Sequence, residues 1–487
     1  MTSTSIVEKL FLYAKKTPDK AAVIFEKEIV TYGELWDNTV RCAHLFSKLG
    51  LRENDRIIIQ CRYSLFYLAS IYAAHLCGAA VVLVDKNANG DMIADMAEQV
   101  DAQLAVCNME TERFANTVLY GILAEGLTED TSMDNLAFPA PESVAVILFT
   151  TGTTGAPKGV QLTQRNTTGW ATIMCEYSDS DSEVFLYAVP LNHVAPFMRL
   201  QHTIYIGGTV IFMESMMKIG KVFEYVEKYG VNALYFPPAG ITMLQHLSKD
   251  KLAKYANQLG FVGSGSAAMT VSQRDYLKNM LPKTFLYTTY GSSETGLVSL
   301  YRYDNSDKPI NCCGRALPGV ELRIVDDGFH TVPAGRVGSI AIKSDLVMKG
   351  YYKRPELTAA VMYDGFFVSE DLGYIDEDGY LYVCGRKDDM INIGGLKVFP
   401  SEIENAALKI PGIAECICFG VSDPITGQAV KLVIRTDDTA ALTAAQVQTE
   451  LGRVMDAYKV PKSVEFTTEI AKTANGKPNR KFYQQKG

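Results

Sequence analysis

The chain has 487 residues, 47% of them apolar and 21% charged, with a formal net charge of −8. That length exceeds what one hydrophobic core supports, so two or more domains are expected. An acidic balance with no basic run excludes a nucleic-acid footprint, and ten scattered cysteines without a CxxC pair exclude a zinc ribbon or disulfide scaffold and fit free thiols in a reducing cytoplasm.

Residues 1–16 carry neither the basic start nor the apolar stretch of a signal peptide. Their pattern predicts an amphipathic helix, with Ser5 and Glu8 as a capping box and Ile6, Leu10 and Tyr13 on one side. A second helix is predicted over 31–49, opened by Thr31 and Glu34 and closed by Gly50. Ile57-Ile58-Ile59 reads as a buried strand. Residues 65–84 contain no Asp, Glu, Lys or Arg and reach the length of a membrane span. His75 and Gly78 interrupt that run and Val81-Val82 is β-branched, so the prediction is a buried helix followed by a buried strand, with no integral membrane segment. Helices and strands alternating at this spacing imply βαβ units, and hence an α/β fold with mostly parallel sheets. Residues 128–141 form a polar connector.

Val144-Ala145-Val146-Ile147-Leu148-Phe149 is an apolar run of strand length. It leads into Thr150-Thr151-Gly152-Thr153-Thr154-Gly155-Ala156-Pro157-Lys158-Gly159. Glycines let backbone N–H groups approach a ligand, threonine hydroxyls donate to phosphate oxygens, and Lys158 adds a positive charge. That composition suits a polyphosphate, although it is not the GxxxxGK[ST] pattern. Further on come Pro190-Leu191-Asn192-His193-Val194-Ala195-Pro196-Phe197 and the turn Gly263-Ser264-Gly265-Ser266-Ala267-Ala268. The latter is a weak match to a dinucleotide fingerprint, which would need an acidic residue after the next strand, where Tyr287-Thr288-Thr289-Tyr290 stands instead. Tyr290-Gly291-Ser292-Ser293-Glu294-Thr295-Gly296 places a carboxylate behind two hydroxyls. Residues 314–320 and 348–356 read as structural turns joining a small β-rich subdomain. Then follow Ser369-Glu370-Asp371-Leu372-Gly373 and Gly385-Arg386-Lys387-Asp388-Asp389-Met390-Ile391-Asn392-Ile393-Gly394-Gly395. A helix beginning at 398, strands over 413–421 and 430–434, and a helix over 441–455 make a compact α+β unit. The last motif is Lys472-Thr473-Ala474-Asn475-Gly476-Lys477.

In this order the motifs resemble those of the adenylate-forming superfamily, of the acyl- and aryl-CoA synthetase type. The resemblance implies a large N-terminal adenylating domain over 1–386 and a small mobile α+β domain over 387–487, hinged at Asp388. It implies that Thr150, Thr151, Gly152, Thr153, Thr154, Gly155 and Lys158 hold ATP phosphates. Tyr290 and Gly291 would lie at adenine, with Gly263, Ser264 and Gly265 along the adenine and acyl pocket, and Ser292 and Ser293 at the α-phosphate. Glu294 would bind Mg²⁺, Asp371 would clamp the ribose, and Arg386 would reach ribose or phosphate. His193 would line the acyl tunnel beside the γ-phosphate, Lys477 would act in adenylation, and Gly394-Gly395 would line the thiol tunnel. Departures from the family pattern are Ser293 for threonine, Glu370 for glycine, Asn392 for lysine and Ala471 near the place of a proline.

No acidic residue lies between 190 and 212, where amino-acid-activating relatives carry an aspartate for the α-ammonium. An unpaired ammonium in a dry pocket is costly, so the expected substrate is a small-molecule carboxylic acid, aryl or acyl, without an α-amino group. ATP, Mg²⁺ and coenzyme A are the expected cofactor and cosubstrates. An acyl carrier protein is the alternative acceptor and a non-catalytic nucleotide-binding regulator the alternative function. A cytoplasmic monomer or homodimer is expected.

Overall fold

The computed structural model describes residues 5–26, 28–127, 129–150, 157–178, 180–187, 191–213, 218–265, 269–306, 308–437, 442–472 and 478–485. Both N-terminal helices form where the sequence implies, the first with the Ser5 half of its expected capping box and the second with the full box. The helix Ile6–Lys16 starts where the Ser5 hydroxyl accepts from the Glu8 N–H at 3.1 Å, and it buries Ile6, Val7, Leu10 and Ala14. The helix Tyr32–Lys48 is opened by a full capping box: Thr31 Oγ1 accepts from Glu34 N–H, and Glu34 Oε2 accepts from Thr31 N–H at 2.8 Å. Gly50 behind it takes φ +97°, a left-handed conformation open to glycine. Residues 65–84 become the helix Leu65–Leu76 and the wholly buried strand Ala80–Val84. Among the described residues no helix is long and apolar enough to cross a membrane.

The described strands make three sheets. In the first, Phe285–Ser292, Phe261–Ser264, Ala233–Phe236, Val184–Tyr187, Thr209–Phe212 and Ala21–Phe25 lie side by side in parallel. In the second, Leu104–Cys107, Arg56–Gln60, Ala80–Val84 and Val144–Thr150 are parallel, and Lys158–Thr163 folds back antiparallel onto the last of them. Side chains from both sheets, from the helices at 6–16, 32–48 and 65–76, and from the helix Val194–Tyr205 share one large core. Strands buried on both faces explain the unbroken apolar runs of the sequence. The third sheet, antiparallel apart from its edge pair Gly427–Thr436 with Ser463–Phe466, closes over its own core of Ile391, Val398, Ile403, Cys418, Leu432 and Leu451.

Three expectations are corrected. Residues 314–320 begin not as a turn but within the strand Cys312–Ala316. That strand pairs with Gly296–Arg302 on one side and Leu381–Arg386 on the other, so it fuses the parallel sheet to an antiparallel extension. Gly314 permits the junction: at φ +91° a Cβ there would collide with the Leu300 carbonyl. Residues 348–356 contain the strand Gly350–Tyr351, which adds to the second sheet beside Lys158–Thr163. At 398 the chain is still in the strand Leu396–Val398, and the helix Pro400–Ala407 starts two residues later with proline at its first position, where the missing N–H costs nothing.

Candidate active site

The phosphate-loop candidate hangs from an antiparallel hairpin in which Thr150 and Lys158 are direct partners. Thr151, Gly152, Thr153, Thr154 and Gly155 lie outside the described residues. Lys158 opens its strand and projects its ammonium over the Tyr351 ring, 5.2 Å from the centroid. A positive charge over an aromatic face is attracted by the ring quadrupole.

Glu294 occupies the turn between the antiparallel strands Phe285–Ser292 and Gly296–Arg302. The turn is braced from within: the Ser292 hydroxyl accepts from the N–H groups of Glu294 and Thr295 at 3.2 Å, and Ser292 N–H donates to Thr295 Oγ1 at 2.9 Å. Gly291 is required because a Cβ there would run into the Gly296 carbonyl. Ser293 sits half-buried beside Glu294. From the neighbouring sheet, Met348 N–H donates to the Glu294 carbonyl at 2.7 Å, and the Tyr351 hydroxyl donates to Glu294 Oε1 at 3.0 Å. Burial, and then the Glu294 charge, push the Tyr351 phenol well up, while the positive charge of Arg386 pulls the other way. Tyr351 therefore stays a hydrogen-bond donor at neutral pH. It binds together Lys158 and Glu294, which are 136 positions apart by their numbers. Sequence reasoning took the segment of Tyr351 as structural; the one available signal was an aromatic pair, Tyr351-Tyr352, between two charged motifs.

Tyr290, at the end of the same hairpin, donates from its hydroxyl to Asp371 Oδ2 at 2.9 Å. Burial, and then the Asp371 charge, hold this phenol protonated as well. Asp371 lies in the strand Phe366–Ile375 directly opposite Arg386 of Leu381–Arg386, and its N–H donates to Ser369 Oγ at 2.9 Å. Arg386 forms an ion pair with Glu370, the residue beside Asp371. The structure thus links Lys158 of the second sheet, through Tyr351, with Glu294, Tyr290, Asp371 and Arg386 on the first, from three distant stretches of chain.

The floor of the candidate acid pocket comes from the parallel strands. Gly263 and Gly265 make room for Tyr287 and Tyr235: a Cβ at either would collide with the phenol across from it. Ser264 is fully buried, with no hydrogen-bond partner for its Oγ among the described residues. His193 is exposed at the N-terminal end of the helix Val194–Tyr205, whereas Phe197 on that helix is fully buried in the core.

At the expected hinge, Asp388 lies in the single turn Lys387–Asp389. Gly394 and Gly395, at φ +57° and +93°, form the tip between Ile391–Ile393 and Leu396–Val398. Asn392 caps that tip by accepting from Gly395 N–H at 2.8 Å, a short-range role that lysine could not take. Lys477 lies outside the described residues. Just beyond it, Arg480 reaches Asp389 at 3.0 Å, Glu404 at 2.6 Å and the Cys418 carbonyl at 2.7 Å, which ties the chain after Lys477 to the residue next to the expected hinge.

Among the described residues no group of three or more His, Cys, Asp or Glu could cage a metal. A single carboxylate fits Mg²⁺, which keeps several waters and takes further oxygens from substrate phosphates. The site is therefore suited to a metal that arrives with a nucleotide.

A family model described as AMP-binding enzyme matches residues 10–352, and one described as AMP-binding enzyme C-terminal domain matches 402–477. Feruloyl-CoA synthase of Amycolatopsis sp is 30% identical over 476 residues, covering 95% of each chain. The 2-succinylbenzoate–CoA ligase of Bacillus cereus is 29% identical over 503 residues, covering 99% of this chain and 97% of its own. The crystal structure of ATP-bound MatB from Rhodopseudomonas palustris superposes with a TM-score of 0.90 at 25% identity, covering 100% of this chain and 99% of that one. Sequence and fold agree over nearly the full length: the chain belongs to the AMP-binding enzyme family of adenylate-forming proteins.

Proposed function

We infer that the chain is an acid–CoA ligase: it adenylates a carboxylic acid with ATP, releasing pyrophosphate, and transfers the acyl group to coenzyme A. The observation that carries this reading is the convergence of Lys158 and Tyr351, from the second sheet, on Glu294, next to the Tyr290, Asp371 and Arg386 of the first. Asp371 accepts from the ribose hydroxyls, and the Tyr290 ring stacks on adenine while its hydroxyl fixes the Asp371 carboxylate. Lys158 and Arg386 meet the phosphates. Glu294 holds Mg²⁺, which, when bound, supplies charge neutralisation on the phosphate oxygens.

An acid is already ionised at neutral pH, so its attack on the α-phosphorus needs no general base. Anion repulsion is the obstacle. Lys158, Arg386 and Lys477 offset the charge that develops, and alignment of the two reactants removes much of the remaining barrier. In this reading residues 387–487 turn about Asp388 after pyrophosphate leaves. Lys477 is carried away, and Gly394-Gly395 comes in to line the path of the thiol. The thiolate attacks the acyl carbon, the C–O bond to AMP breaks, and AMP departs with the carboxylate oxygen.

For the acid we propose an aromatic one without an α-amino group. The half-buried Tyr235 over Gly265 offers an aromatic neighbour on the strand end beside Ser264, and two similar enzymes are named for aromatic acids. The test is AMP release from a panel of aryl, short, medium and long acids with ATP and Mg²⁺, with and without coenzyme A. Aryl acids should give a thioester only when coenzyme A is present. Pyrophosphate release that stalls at bound acyl-adenylate would identify a carrier protein as acceptor, and silence across the panel with ATP still bound would sink the enzymatic reading.

A further inference from the structure

Glu370 stands where the family pattern has glycine, and its carboxylate is not idle. It forms an ion pair with Arg386 across the strand pair Phe366–Ile375 and Leu381–Arg386, with both side chains partly open to solvent. Arg386 has no hydrogen-bond partner for its buried Nε among the described residues, so Glu370 is its principal partner. Arg386 also stands opposite Asp371 in the strand pair, and its positive charge acts on the Tyr351 phenol that holds Glu294. An arginine fork fits a carboxylate and a phosphate equally well, and it cannot give its full face to both.

We propose that Glu370 is a built-in competitor of the nucleotide for Arg386: its carboxylate neutralises the guanidinium in the empty site and yields it to the phosphates when ATP binds. This rests on the reading of the site as ATP-binding. Breaking the internal pair subtracts from nucleotide affinity, and the subtraction lasts only as long as Arg386 must be released. The residue is thus an affinity-setting one. Its effect falls on the KM for ATP rather than on turnover, because the pair is already broken once ATP is bound.

The test is Glu370→Gln, which keeps shape and removes charge, with direct ATP titration by calorimetry alongside KM and kcat. An exposed ion pair is worth about 1.4- to 5-fold in an equilibrium, so Glu370→Gln should tighten ATP and lower its KM by roughly two- to fivefold at low salt, with kcat unchanged. The gain should shrink as salt rises. The same change in an Arg386→Ala background should bring little, because no guanidinium remains to be released. An equal gain in that background would mean simple repulsion between Glu370 and the phosphates and would overturn the proposal. Weaker ATP binding in Glu370→Gln would mean that Glu370 holds Arg386 in place for the nucleotide, which also overturns it. If the unaltered chain failed to bind ATP at all, the reading of the site itself would fall, a result the calorimetry separates from the other two.

Discussion

Replacing Tyr351 by phenylalanine removes one oxygen and leaves the ring beneath the Lys158 ammonium. What is lost is the 3.0 Å hydrogen bond to Glu294 Oε1. A hydrogen bond to a charged group contributes about 1.5–3 kcal/mol. Water can replace part of it in an open cleft, so the lower end applies, about a tenfold effect. It should appear as metal dependence, because groups that orient a metal-binding carboxylate typically change metal affinity by about 10- to 100-fold. The assay is acid-dependent pyrophosphate release across a Mg²⁺ titration. Tyr351→Phe should need about ten times more Mg²⁺ for half-maximal rate and recover most of the rate at saturation, whereas Glu294→Gln should not recover. Tyr351→Leu should in addition weaken ATP, since Lys158 loses the ring it rests on, an effect of about 0.5–1 kcal/mol. An unchanged Mg²⁺ titration in Tyr351→Phe would refute the coupling of Tyr351 to Glu294.

Three further outcomes are expected. Lys477→Ala should abolish adenylation yet spare ATP binding, read by pyrophosphate exchange beside calorimetry; retained exchange would remove Lys477 from the reaction. Tyr290→Phe takes away the donor to Asp371 and should raise the KM for ATP by about tenfold with little change in kcat, since the bond positions a binding carboxylate. His75 and His202 are buried, and burial holds both near pKa 4, against 6.5 for a free imidazole. The unfolded chain therefore takes up protons between pH 6.5 and 4 that the folded chain refuses, so stability falls as pH drops through that window. Each histidine contributes at most about 1.4 kcal/mol per pH unit. Urea midpoints at pH 7 and pH 5 measure it, and equal midpoints would contradict the assignment of both as neutral.

What was legible in the sequence was local. The capping box at Thr31 and Glu34, the stop at Gly50, and the division of residues 65–84 into helix and strand all depend on neighbours a few positions apart. Glu294 and Asp371 stood out through the resemblance of their segments to motifs of the family. The partners of these residues were not legible. Tyr351 reaches Glu294 across 57 positions and Tyr290 reaches Asp371 across 81, and no periodicity encodes such pairs. Glu370 looked like a misplaced charge until strand pairing set it against Arg386. The strand Cys312–Ala316 was hidden because its glycine reads as a turn, while in the sheet that glycine admits the Leu300 carbonyl.

The central claim is that acyl transfer passes through a carboxylate–AMP bond. The most direct measurement uses an accepted acid labelled with ¹⁸O in its carboxylate, with ATP, Mg²⁺ and coenzyme A, and mass analysis of the nucleotide product. Attack of the carboxylate on the α-phosphorus, followed by thiol displacement, leaves one labelled oxygen in AMP and none in pyrophosphate. Label in inorganic phosphate, or thioester formed with unlabelled AMP, would contradict the account.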